Sequence, residues 1–225
     1  MKVVLLCGGD SLRFKNQLIP SSKVMAPIGG KPIVEHIMQH YSSYGFNEFI
    51  LCVKDSDQEI DAYFKHQSNF NDVQVVKTGD HTPTGGRLKR VEKFLNDETF
   101  MLSYGDGLSD VNLAELFAFH NTHGGLASLT AVQPFHQFGI LKLNDNQSVI
   151  DFIEKPQMTE WINGGFFVFN RKVFVQLKDE DILEANLLHH LAQTGELHAY
   201  YHKGFWKSMD TYKDYEDLNE KFDKQ

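Results

Sequence analysis

Continuous apolar runs alternate with amphipathic stretches through the first half of the chain. The run over 2–6, apolar after Lys2, leads through Cys7 and stops at Gly8-Gly9. A buried parallel strand reads in this way. After a long loop, Pro32 opens a stretch with Ile33, Ile37 and Met38 on one helical face, and Gly45 closes it. Residues 48–53 predict a strand. Ser56 is placed to cap a helix carrying Ile60, Tyr63 and Phe64. Residues 73–77 predict a strand, 78–86 are rich in turn formers, and 87–95 predict an amphipathic helix. The strand over 100–104 stops at Gly105-Asp106-Gly107.

The second half has a different rhythm. Strands are predicted over 126–132, 139–143, 149–154 and 165–169, with turns such as Asn144-Asp145-Asn146 between them. A helix is predicted over 182–194, a strand over 197–201 and a last helix from near Thr211. The alternation predicts an α/β fold: a mostly parallel, Rossmann-like central sheet with helices on both faces, joined by a strand-rich region. In such sheets ligands bind beyond the carboxyl ends of the strands. Gly8-Gly9 and Gly105-Asp106-Gly107 both stand at predicted strand ends.

Composition narrows the class. Hydrophobic residues make up 41% and charged residues 23% of the 225, ordinary for a globular protein. A formal charge of −8 speaks against bulk nucleic acid as a partner, but leaves room for a local basic pocket. No segment has the length of a membrane span or the pattern of a signal peptide. Cys7 and Cys52 fall in apolar runs, as buried thiols of a reducing compartment do, and the expected location is cytoplasmic.

Five short constellations can carry chemistry. Gly8-Gly9, with Arg13 and Lys23 following, can cradle phosphate on backbone N–H groups; a tight turn with surface charge is the plain alternative. Asp106, flanked by glycines at a strand end, suits Mg²⁺, which takes one or two carboxylates besides phosphate and water; an Asp-Gly turn is the alternative. Asp210, after Phe205-Trp206-Lys207-Ser208-Met209, is either a second carboxylate or a helix N-cap. Thr84-Gly85-Gly86-Arg87 can press backbone against a planar ring and offer a guanidinium, or simply start a helix. Glu154-Lys155-Pro156 and Asn163-Gly164-Gly165 can hold a phosphate and sugar hydroxyls, or be ordinary turns. His36 and His40 lie four apart, but no third ligand suggests zinc.

In order along the chain, these motifs resemble the sugar-phosphate nucleotidyltransferases, nearest to the glucose-1-phosphate cytidylyltransferases. The resemblance runs through Gly29-Gly30-Lys31-Pro32-Ile33, Thr78-Gly79-Asp80, Thr84-Gly85-Gly86-Arg87-Leu88-Lys89-Arg90, Tyr104-Gly105-Asp106-Gly107, Glu154-Lys155-Pro156, Ile162-Asn163-Gly164-Gly165 and Gly204-Phe205-Trp206 with Met209-Asp210-Thr211. It departs at Asp10-Ser11-Leu12, where the family's loop continues Gly-Thr before its arginine.

The resemblance implies a GT-A-like nucleotidyltransferase forming a single domain over 1–225. Residues 1–125 would be mainly nucleotide-binding and 126–225 mainly acceptor-binding. It implies Mg²⁺-dependent transfer of a cytidylyl group from CTP to a glucose 1-phosphate-like sugar phosphate, releasing pyrophosphate. Arg13, Lys23, Asp106 and Asp210 would be catalytic, with Asp106 and Asp210 on the metal. Leu6, Cys7, Gly8, Gly9, Thr84, Gly85, Gly86, Arg87 and Gly105 would bind the nucleotide. Glu154, Lys155, Asn163 and Gly164 would bind the acceptor. Another phosphate acceptor, sugar or non-sugar such as phosphoglutamine, is the alternative, as is a nucleotide-binding homologue without activity. Small-molecule substrates and a homo-oligomer are the expected partners, with neither nucleic acid nor membrane.

Overall fold

In the computed structural model, residues 1–9, 22–65, 70 and 72–222 are described. Seven strands form the central sheet: β1 (Lys2–Leu6), β2 (Glu48–Val53), β3 (Asp72–Lys77), β4 (Thr99–Tyr104), β5 (Ala127–Val132), β6 (Ile162–Asn170) and β7 (Leu197–Tyr201). Their spatial order is β7-β5-β6-β4-β1-β2-β3. All neighbours pair in parallel except β6, which runs antiparallel between β4 and β5.

The helices are α1 (Ile33–Ser43), α2 (Glu59–Phe64), α3 (Thr84–Arg90), α4 (Leu113–His123), α5 (His189–Gln193) and α6 (Tyr212–Phe222). A π-helical turn, Leu183–Leu188, leads into α5. Successive side chains of a strand point to opposite faces, and β1 supplies both. Val3, Leu5 and Cys7 join one apolar core with Ile33, Ile37 and Met38 of α1, Ile60 of α2, Leu116 of α4 and Leu218 of α6. Val4 and Leu6 join the other with Leu88 of α3, Leu187 of the π turn and Leu191 of α5. Cys7 and Cys52 lie in opposite cores, so the sheet itself separates the two free thiols.

Several local expectations are corrected. Ser56 does not cap α2; its N–H and hydroxyl both donate to Asp80 Oδ1, and Gln58 precedes the helix. The third helix begins at Thr84, not Arg87, and ends at Arg90. Glycines are poor helix formers, but Gly85 and Gly86 pack where a Cβ would lie 2.6 Å from Asp181 O and 2.0 Å from Asp179 O. Tertiary packing therefore sets that helix start. The strand Ile140–Leu143 pairs with Val149–Ile153 as a separate hairpin. Its large apolar residues are exposed, Phe152 by 61%.

Candidate active site

The parallel pairing of β1 with β4 places Leu6 beside Tyr104, so Gly8 and Asp106 emerge next to each other. The short strands Gly107–Ser109 and Trp206–Ser208 pair antiparallel, and Met209 N–H donates to Asp106 O at 2.9 Å. That ladder carries Asp210 to Asp106. Because β6 runs the other way, its first residues reach the same edge of the sheet. A bulge between Asn163 and Phe167, with Gly165 at φ +78°, interrupts the β5 ladder, while Ile162 and Asn163 stay paired with Val132 and Ala131. The result is a cleft of about 670 Å³ lined by Leu6, Gly8, Gly9, Lys23, Thr84, Arg87, Tyr104, Asp106, Asn163 and Asp210, among others.

At its centre stands Lys23, in the 3₁₀ turn Lys23–Met25. Its ammonium donates to Asp106 Oδ2 at 2.7 Å and to Asp210 Oδ1 at 3.0 Å. Burial pushes the lysine down, but the charge and hydrogen bonds of the two carboxylates prevail and hold it above its usual range. Burial likewise works against Asp210, yet hydrogen bonds from Lys23 and Ser208 hold it below the usual carboxylate range. Asp210 is not the helix cap. Thr211 and Asp214 cap α6 instead, since Asp214 N–H donates to Thr211 Oγ1 at 3.2 Å and Thr211 N–H to Asp214 Oδ2 at 2.9 Å. Asp210 is thereby left to face the cleft. Two carboxylates converging on one cationic point form a hard oxygen donor set of the kind Mg²⁺ takes with substrate phosphates. Among the described residues no cluster of three or more His, Cys, Asp or Glu could hold a metal.

Arg87 is only 3% exposed. Its Nη1 donates to Thr78 Oγ1 at 2.7 Å and Val53 O at 3.2 Å, and its Nη2 to Gly8 O at 3.1 Å. It holds the strand ends of β1 and β2 together beneath the cleft floor. A Cβ on Gly8 would lie 2.1 Å from Arg87 Cζ, so this glycine is required by the guanidinium. Gly105 plays a similar part, since a Cβ there would meet Val24 at 2.8 Å and Cys7 Sγ at 3.2 Å. Gly9 is exposed with open space about it. The open sides of Gly85 and Gly86 face the backbone of Asp181 and Asp179, not a ring in the cleft.

On the acceptor side, Asn163 lines the cleft, and Gly164 O accepts from Trp206 Nε1 at 2.7 Å. Glu154 and Lys155 are not brought to the cleft wall. They are exposed at the end of the hairpin and pair with each other at 3.6 Å, with Lys155 at φ +45°. Arg13 lies outside the described residues. His36 and His40 contact the carbonyls of Ile28 and Val111 at 2.7 and 2.9 Å. Sequence reasoning assigned no role to Tyr104, Trp206 and Ser208 on the cleft wall, although each lies within a motif it singled out. It also missed Glu184, which stands behind the wall and carries no local signal.

Among the described residues no helix is long and apolar enough to cross a membrane. The sequence profile of the nucleotidyl transferase family matches residues 2–225. A protein of Bacillus subtilis named probable glucose-1-phosphate cytidylyltransferase is 40% identical over 97% of this chain and 95% of its own. The glucose-1-phosphate cytidylyltransferase of Salmonella typhimurium is 41% identical over 95% of this chain and 93% of its own. The crystal structure of HddC from Yersinia pseudotuberculosis superposes with a TM-score of 0.78 at 23% identity, covering 98% of this chain and 99% of that one. The fold, the convergent site and these likenesses agree: the chain belongs to the nucleotidyl transferase family, a family of enzymes.

Proposed function

We propose that the chain transfers the cytidylyl group of CTP to glucose 1-phosphate, giving CDP-glucose and pyrophosphate. The observation that carries this reading is the 40–41% identity, over nearly the whole chain, to proteins named for that activity. The geometry is consistent with it. An oxygen of the sugar phosphate attacks the α-phosphorus of CTP in line; the bond from that phosphorus to the β-phosphate bridging oxygen breaks, and pyrophosphate leaves with the electron pair. The nucleophile is already an anion, so no side chain need remove a proton. Positioning and charge neutralisation remain for the protein.

Asp106 and Asp210 would hold Mg²⁺, which when bound neutralises phosphate charge and orients the oxygens around the α-phosphorus. Lys23, whose ammonium lies between the two carboxylates, would offer its charge to the phosphates, joined by the backbone at Gly8 and Gly9. Arg87 keeps Gly8 in place from below. Thr84, at the α3 end of the cleft, borders the nucleoside, and Asn163 borders the acceptor. Glu154 and Lys155 reach an acceptor only if the hairpin moves or a second copy presents them. That hairpin, whose large apolar residues are exposed among the described residues, is where we place a homo-oligomeric contact. Buried free thiols fit a cytoplasmic setting.

Pyrophosphate release measured with CTP, UTP, dTTP and GTP, each against glucose 1-phosphate, tests the reading. CTP should exceed the others by tenfold or more in kcat/KM. Equal use of two triphosphates, or release only with a different phosphorylated acceptor, would refute it.

A further inference from the structure

Behind the cleft wall, one carboxylate ties the two halves of the site together. Glu184 is the second residue of the π-helical turn Leu183–Leu188, an irregularity frequent at functional sites. Its Oε2 accepts from Thr84 Oγ1 at 2.9 Å, and its Oε1 accepts from the Tyr104 hydroxyl. Thr84 Oγ1 in turn accepts from Leu183 N–H at 2.9 Å, so its single proton is committed to Glu184. Gly165 admits the Tyr104 ring, since a Cβ there would stand 2.5 Å from it.

The proton map of the wall follows from these bonds. A carboxylate accepts only, so Tyr104 must donate to Glu184 and can only accept elsewhere. It accepts from Asn163 Nδ2 at 3.2 Å. The Asn163 amide is oriented independently, because Gly165 N–H donates to its Oδ1 at 2.9 Å. Its Nδ2 therefore has a second N–H to offer, and Tyr104 Oη a remaining lone pair. Both residues line the cleft. A donor and an acceptor side by side match a group that is itself both, namely a hydroxyl.

We propose that Glu184 sets the polarity of an Asn163–Tyr104 hydroxyl-recognition pair, selecting a phosphorylated acceptor with a free hydroxyl at one ring position. Glu184 is a positioning residue; it acts through Tyr104. The proposal rests on the sugar 1-phosphate reading above and names which functional group of that substrate is read.

The test compares glucose 1-phosphate with its monodeoxy and monofluoro analogues at each ring hydroxyl, using CTP and pyrophosphate release. Fluorine accepts weakly and cannot donate; hydrogen does neither. In the wild type, one position should lose about 30-fold or more in kcat/KM with both replacements, since a site built around a hydroxyl rejects analogues lacking it. In Glu184→Gln the amide can donate to Tyr104, freeing the phenol proton toward the cleft. The hydroxyl-to-fluorine preference at that position should then fall to within about threefold. Tyr104→Phe, which leaves the Thr84–Glu184 bond intact, should do the same. A role confined to stability would lower all acceptors together and preserve the ratio. Preserved ratios in both variants, or no discriminating position in the wild type, overturn the proposal while leaving the transferase reading intact. No release with any of these acceptors overturns the transferase reading and the proposal with it.

Discussion

Two histidines meet at one buried hydroxyl with a third stacked beside them, and their arrangement predicts how stability depends on pH. His120, in α4, is 5% exposed, and its Nδ1 lies 3.0 Å from Ser128 Oγ. His123 Nε2 approaches the same oxygen at 2.7 Å, and the His198 ring stacks on His123 at 3.9 Å. Burial first, and then the neighbouring His123 and His198, hold His120 down at about 4 against an ordinary 6.5. The unfolded chain therefore takes up this proton at a higher pH than the folded one. Stability is complete above about pH 6.5 and declines as pH falls toward 4. The gap from 6.5 to about 4 amounts to about 3 kcal/mol at full protonation, of which about 2 kcal/mol is lost by pH 5. Urea unfolding of the wild type and of His120→Gln at pH 7.5 and pH 5.0 isolates this contribution. The wild type should lose about 2 kcal/mol more than the variant between the two pH values. A difference below about 0.5 kcal/mol would show that His120 does not titrate in this way.

Two other substitutions probe the cleft floor and its centre. Gly8→Ala places a methyl 2.1 Å from Arg87 Cζ and must displace a guanidinium bonded to Thr78, Val53 and Gly8 itself. Losing two such charged hydrogen bonds costs about 3 kcal/mol, or a fall of about 6–12 °C in Tm by calorimetry; an unchanged Tm would mean that Arg87 is not pinned. Lys23→Met removes the cation that shares Asp106 and Asp210 with an incoming divalent ion. Calorimetric titration of the nucleotide-free protein should show Mg²⁺ or Mn²⁺ affinity raised several-fold while turnover is lost, and weaker metal binding would contradict the shared site.

The strands of this fold were largely legible because buried parallel strands are unbroken apolar runs; β2 occupies the span its pattern predicts. Strand direction was not. Nothing in Ile162–Asn170 reveals that it runs against its neighbours, yet that reversal brings Asn163 to the cleft. A helix start at Thr84 stood only as the alternative reading of its motif because glycine propensity opposes it, and contact with Asp179 and Asp181 explains it. Asp106 and Asp210 stood out as carboxylates at the ends of motifs. That one lysine bridges both could not be read, since it stands 83 and 187 residues away from them. Arg87 was legible as a motif residue, but its burial beneath Gly8 depends on the β1–β2 register. Glu184 had no local signal, because its partners come from α3 and β4.

The central claim is cytidylyl transfer at the Asp106–Lys23–Asp210 centre, and phosphorus NMR of the reaction of CTP with glucose 1-phosphate in Mg²⁺ tests it most directly. The wild type should form CDP-glucose and pyrophosphate in equal amounts. Asp106→Asn, folded as judged by an unchanged circular dichroism spectrum, should lower that rate by about a thousandfold or more. Undiminished CDP-glucose formation by Asp106→Asn, or none by the wild type, would contradict the account.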